Sequence, residues 1–186
     1  MSTETALAAW AASLAQGLLE QALPRRWAHT IGVAEAAREV APALRGVDST
    51  LEAAAWLHDI GYSPAIATSG FHPVDGARYL RDRTECAPTI YCLVAHHSGS
   101  EFEASERGLP LPSEEFDVPD RMLLDALTCA DMTTGPTGER VTVDQRLDEI
   151  LTRYAPDHVV HRSVERASPH LRSAVEATRS LARQVR

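Results

Sequence analysis

The chain has 186 residues, 44% of them hydrophobic, and a formal net charge of −8. That length suits one domain with a real core, the charge and the lack of a basic run argue against a general nucleic-acid binder, and no apolar run approaches membrane-spanning length. All 18 basic residues are arginine, so any cation that holds a phosphate must be Arg, His or a metal.

In chain order the sequence predicts helix after helix. Leu7, Trp10, Leu14, Leu18 and Leu19 recur at helical spacing before Pro24. Pro24 can open a second helix carrying Trp27, Ile31, Val33, Ala34 and Ala37 up to Pro42. Gly46-Val47-Asp48-Ser49 reads as a turn, with Asp48 or Ser49 as cap for a third helix that ends at His58-Asp59. Gly61 and Pro64 mark its stop. A fourth helix is predicted from His72-Pro73 and a fifth from Pro88 to His97. Ser98 to Pro119 reads as a loop, rich in Gly, Pro and acids, either a solvated face or a lid over a site. A sixth helix runs from Asp120, its N-cap, to Asp131. Gly135-Pro136-Thr137-Gly138 is a tight loop, and two or three further helices fill Val143 to Arg186. With no alternating strand pattern and no long linker, the expected fold is an all-α, single-domain helical bundle over residues 1–186, with a core of about 20–155. Helices at 1–22 and 156–186 would pack on it as extensions.

The three cysteines, Cys86, Cys92 and Cys129, lack Cys-x-x-Cys spacing and read as small buried hydrophobes. The first residues lack a basic start, so a cytoplasmic protein is the expectation.

His58-Asp59 closes the apolar run Leu51 to Leu57 and is followed by Ile60-Gly61. An imidazole and a carboxylate at the inner end of a buried helix are costly unless paired. A cation that takes neutral nitrogen and anionic oxygen together would satisfy both. His29 lies upstream, and His72, His96, His97 and Asp131 downstream, several of them at helix ends where a bundle can gather them into one mouth. This donor mix suits borderline divalent metals. With more than four candidates, two ions about 3.5–4 Å apart and bridged by one carboxylate become plausible, with hydroxide between them as nucleophile. His158, His161 and His170 sit in a polar stretch and read as surface residues. Trp10, Trp27 and Trp56 read as core, and Glu35 either supports His29 or faces solvent.

His29…His58-Asp59…Asp131 resembles the signature of the HD superfamily of metal-dependent phosphohydrolases, and His58-Asp59-Ile60-Gly61 its HDIG form. The added His72 and His96 are similar to the pattern of two-metal members. Arg26 to Glu35, His72 to Ala77 and Ala130-Asp131 look most like the bacterial symmetrical diadenosine-tetraphosphate hydrolases. That branch usually carries Lys near the position of Tyr62, and the Gly-Tyr-Pro motif of the cyclic-dinucleotide enzymes is also missing.

The resemblance implies an HD-type bundle. It also implies that His29, His58, Asp59 and Asp131 hold a first ion, and that Asp59 bridges to a second completed by His72 and His96. His97 would be a further ligand or a neighbour of the leaving group. Arg26 and Arg140 or Arg146 could contact phosphate. The expected cofactors are divalent ions, two of manganese, iron, nickel, cobalt, zinc or magnesium. The expected partner is a small phosphorylated substrate, with no nucleic-acid polymer and no membrane, and a homodimer is compatible with the chain. Two rivals stay open: a di-iron relative that cleaves C–P or C–C bonds with dioxygen, and a degenerate sensor or binding module.

Overall fold

The computed structural model describes residues 3–44 and 48–184. Helices α1 (Thr3–Leu19), α2 (Pro24–Val40), α3 (Asp48–Leu57), α4 (His72–Arg83) and α5 (Pro88–His96) come first. Helices α6 (Ser100–Arg107), α7 (Arg121–Met132), α8 (Val143–Arg153) and α9 (Val159–Gln184) follow. No strand forms among the described residues; Thr134 and Arg140 make one isolated antiparallel bridge. The architecture is the all-α bundle that the periodicity predicts. The expected turn at Gly46-Val47 lies outside the described residues, as does the side chain of Asp48.

Proline starts α2, α4 and α5 within the first two positions. There the missing N–H costs nothing and the fixed φ favours helix. Asp120 caps α7 by accepting from the N–H groups of Met122 and Leu123, as its place after Pro119 predicts. Thr142 and Gln145 form a reciprocal cap on α8.

One prediction fails. Ser98 to Pro119 is not a bare loop but contains α6 and a short 3-10 turn at Pro112–Glu114. Left-handed glycines bound α6, Gly99 at φ 76° and Gly108 at φ 65°. Glu101 and Glu103 lie in its first turn, where the helix dipole favours acids. The Gly and acid content that suggested a loop is the content of a short capped helix.

α1 and α2 both pack on α3, α4 packs on α5, and α7 bridges α2 to α9. Leu19, Val33, Leu51, Leu57, Leu93 and Leu127 belong to the main core. A smaller cluster of Cys129, Met132, Leu147, Leu171 and Val175 ties α8 and α9 to α7. Trp27 stacks on Trp56 with ring centroids 5.5 Å apart, inside the main packing. Cys92 and Cys129 are buried and Cys86 half-buried, all as free thiols. No helix among the described residues is long and apolar enough to cross a membrane.

Two close approaches position the site. Gly61, in the 3-10 turn Ile60–Tyr62, packs against the first turn of α4. A Cβ there would lie 2.0 Å from the His72 carbonyl oxygen and 2.7 Å from the Gly76 nitrogen. Glycine at 61 is therefore what lets His72 come up to Asp59. Likewise a Cβ on Gly32 of α2 would lie 2.5 Å from the Gly138 carbonyl oxygen. That contact seats the Gly135–Gly138 loop on α2.

Candidate metal centre

Three buried imidazoles are oriented in one way. His29 faces the Gly135 carbonyl with Nδ1 at 2.9 Å, His58 the Ala55 carbonyl at 2.7 Å, and His97 the Val94 carbonyl at 2.6 Å. A carbonyl can only accept, so each Nδ1 carries a proton, which leaves each Nε2 as the ring atom that a cation could take. Those Nε2 atoms face the carboxylates. His29 Nε2 lies 3.0 Å from Asp131 Oδ1 and 3.9 Å from Asp59 Oδ2. His58 Nε2 lies 3.1 Å from Asp59 Oδ2, and His97 Nε2 lies 3.9 Å from Asp59 Oδ1. His72 Nε2 is 3.4 Å from Asp59 Oδ1 and 3.3 Å from His97 Nε2.

The donors form two groups, His29, His58 and Asp131 in one and Asp59, His72 and His97 in the other. Within each group the ligand atoms lie within 4.8 Å of one another. Asp59 stands between them, since its Oδ2 faces the first group and its Oδ1 the second. Asp131 accepts a short hydrogen bond from Ser98 Oγ on Oδ2, opposite the oxygen that faces His29.

Charge is unevenly matched here. Burial alone would raise the carboxyl of Asp59, but the Arg26 guanidinium at 2.8 Å and His58 outweigh it, and Asp59 stays ionised well below the usual range. Asp131 is lowered in the same way: burial opposes, and the hydrogen bond and charge of His29 win. Burial pushes His72 well below its ordinary value despite Asp59, and it pushes His97 down with help from His58. His58 goes the other way, because Asp59 overcomes the burial.

His58 Nε2 is buried and has no hydrogen-bond partner, since its approach to Asp59 lacks the alignment of a bond. An orphaned ring nitrogen beside anionic oxygens fits a divalent cation, which would take that lone pair. The Nδ1–H to carbonyl contacts are the usual support of metal-binding histidine.

The structure brings Arg26, His29, His58, Asp59, His72, His97 and Asp131 together. It does not bring His96. That residue is buried, but it donates from Nε2 to the Phe116 carbonyl at 3.1 Å, and its Nδ1 lies 3.3 Å from Glu101. α5 ends at His96, and His97 follows with an extended ψ of 149°, so the two rings part company. The place expected for His96 is taken by His97. Arg140 is also elsewhere, paired with Glu39 at 2.7 Å. Arg146 does reach the site: it is 6% exposed and lines the cleft. Glu35 is exposed, and His161 is half-buried, with its Nδ1 near the Leu151 and Tyr154 carbonyls.

Three further residues join. Ser98 holds Asp131 from a left-handed conformation at φ 50°, and nothing in the sequence signals it. The Tyr62 ring is sandwiched, with His72 stacked at 3.9 Å and the Arg26 guanidinium 4.2 Å from its centroid. Arg153 lies two helical turns after Arg146 on α8, a spacing that could have marked it.

A cavity of about 110 Å³ opens over Asp59, His72, His97 and Asp131. A second, of about 350 Å³, lies beside it over His29, Leu23, Pro24 and Pro136. Arg26, Arg146 and Arg153 line both.

The family profile described as "HD domain" matches residues 26–128, more than half of the chain. The match takes in every one of these donors except Asp131. No curated protein and no solved structure matches the chain.

Proposed function

This chain belongs to the HD domain family, and from that premise we propose that it is a metal-dependent phosphohydrolase acting on a nucleotide or another small phosphoester. The observation that carries the reading is the shared orientation of His29, His58 and His97, each anchored through Nδ1–H with Nε2 turned toward Asp59 and Asp131. His29, His58 and Asp131 would hold one ion and His72 and His97 another, with Asp59 between them. Divalent ions bound there supply charge for the phosphoryl oxygens and acidify water toward neutrality.

The chain's own residues bind and orient. Arg26 spends Nη1 on Asp59 Oδ2 and lines both cavities, so its fork can grip a phosphoryl oxygen while it holds the carboxylate in place. Tyr62 packs against both the Arg26 guanidinium and the His72 ring, which restricts how far either can turn. Arg146, buried at the cleft wall, is placed to stabilise charge that develops on the equatorial oxygens.

The likeness to the diadenosine-tetraphosphate branch rests on Arg26 to Glu35, His72 to Ala77 and Ala130-Asp131. Tyr62, in the place of that branch's Lys, counts against it.

Metal analysis of the purified protein, then a phosphatase screen across nucleotides with manganese under anaerobic conditions, tests the proposal. Asp59→Ala is expected to lose both metal and turnover while keeping its helical circular dichroism. Full activity in that variant, or oxygen uptake without phosphate release by the iron-loaded protein, overturns the proposal.

A further inference from the structure

The cleft that holds the donors has a second chemistry. Besides Asp59, His72, His97 and Asp131, it is lined by Met132, Ile150, Tyr154, Val160, Val164 and Leu171. All of these apolar residues but Met132 come from α8, α9 and the bend between them. Met132 and Leu171 are buried members of the smaller core cluster, and Ile150 and Val164 pack against it. Ile150, Tyr154, Val160 and Val164 are only half-buried. The wall is thus an edge of that cluster, left open to the same cavity as the donors. Groups that could read a nucleobase are scarce here. The chain has no Asn, and none of its Gln lines the cavity. Ser98 donates to Asp131, Ser100 donates to the Ala95 carbonyl, and Glu103 pairs with Arg107. A nucleobase edge carries donors and acceptors that amide side chains match, and burying them without partners is costly. At about 110 Å³ the cavity is also well below the about 300–1,000 Å³ of pockets that bury drug-sized ligands.

We infer that α8 and α9 form a subsite for a small apolar group, and that the substrate is the phosphoester of a short alkyl or single-ring hydroxyl compound rather than of a nucleoside. A phosphoryl group seated at Asp59 brings its ester substituent into the same cavity, so this wall takes part of the substrate and not a separate partner. The donors and Arg26 hold the anionic end, and Ile150, Val160 and Val164 cover the apolar end. Side chains left half-exposed there gain burial only when a hydrocarbon lies on them. Each methylene so buried is worth about fourfold in affinity. The inference rests on the phosphohydrolase reading for the reacting end, and it narrows the substrate from a nucleotide or small phosphoester to the second of these.

The test is anaerobic calorimetry of the manganese-loaded full chain with methyl-, butyl- and phenylphosphonate, which have no ester bond to hydrolyse, and with the phosphonate analogue of adenosine monophosphate. Butyl- and phenylphosphonate are expected to bind about tenfold or more tightly than methylphosphonate, and Val160→Ser and Val164→Ser each to lose at least about threefold of that gain. Val160 belongs to neither core cluster, so its substitution spares the fold where Val164→Ser can fail to; circular dichroism verifies this. Several results overturn the subsite even if the protein hydrolyses phosphomonoesters: equal affinity across the series, no binding of any member, or a gain that neither variant alters. So do tighter binding of the adenosine analogue than of butylphosphonate and a dimer in light scattering that Val160→Ser dissociates, which would make a second copy the occupant of the wall. A gain with hydrocarbon size that both variants erode upholds the subsite, even if no phosphoester is turned over and the hydrolase reading falls.

Discussion

At the scale of single residues, Ser98 combines a left-handed backbone with the hydrogen bond that aims Asp131. Groups that orient a metal ligand are typically worth about 10–100-fold in affinity. Ser98→Ala and Ser98→Gly are both expected to bind manganese at least about tenfold more weakly. Ser98→Gly is expected to be the more stable of the two by about 1 kcal/mol, because glycine carries no penalty at positive φ. Manganese titration and urea unfolding check the two halves. Gly61→Ala is predicted to be worse than either, since its Cβ would meet backbone rather than a movable side chain. A loss of about 3 kcal/mol or more follows from such overpacking. The same scale shows why His97, and not His96, turns toward Asp59. Adjacent residues on a helix point about 100° apart, and only the helix end decides which one turns inward. That end is a backbone event, and no residue type at 96 or 97 records it.

At the scale of elements, the segment between the Ile60–Tyr62 turn and α4 is pinned by one side chain. Asp75 of α4 is buried and accepts from the backbone N–H groups of Thr68, Ser69 and Gly70 and from the Thr68 and Ser69 hydroxyls. Burial alone would raise its carboxyl, but the Ser69 and Thr68 hydrogen bonds outweigh that and lower it. A carboxyl depressed in the fold adds stability above its unfolded value, and that stability is lost as pH falls through the folded value. Asp75→Asn puts an amide donor where only acceptors fit. It is expected to cost about 2 kcal/mol or more at pH 7. The gap between variant and wild type should shrink below the ordinary aspartate range, which urea unfolding at several pH values would show. Elements bounded by Pro24, Pro73, Pro88 and Asp120 were legible because proline and a capping acid act locally. α6 was not, because glycines at both ends and acids in its first turn also describe a loop.

At the scale of the molecule, the donors and the arginines rest on different cores. The His and Asp groups come from α2 to α7 and the main cluster, whereas Arg146 and Arg153 ride on α8, which the smaller cluster fastens through Leu147 and Leu171. Leu171→Ala is predicted to cost about 2–5 kcal/mol. It should weaken phosphate-analogue binding before it weakens metal binding, and calorimetry with each probe separates the two. The sequence showed the helical order but not this division, because Leu147 and Leu171 look like any other apolar position. The first donor group also spans the chain: His29 meets Asp131 across 102 residues. An ion held there is a crosslink present only in the folded protein, so occupancy and unfolding are thermodynamically linked. At a free concentration a hundred times Kd, the gain is about 2.7 kcal/mol. The melting temperature therefore becomes a gauge of which cation fills the centre, rising with each ion in the order of its affinity and falling on chelation, before any substrate is known.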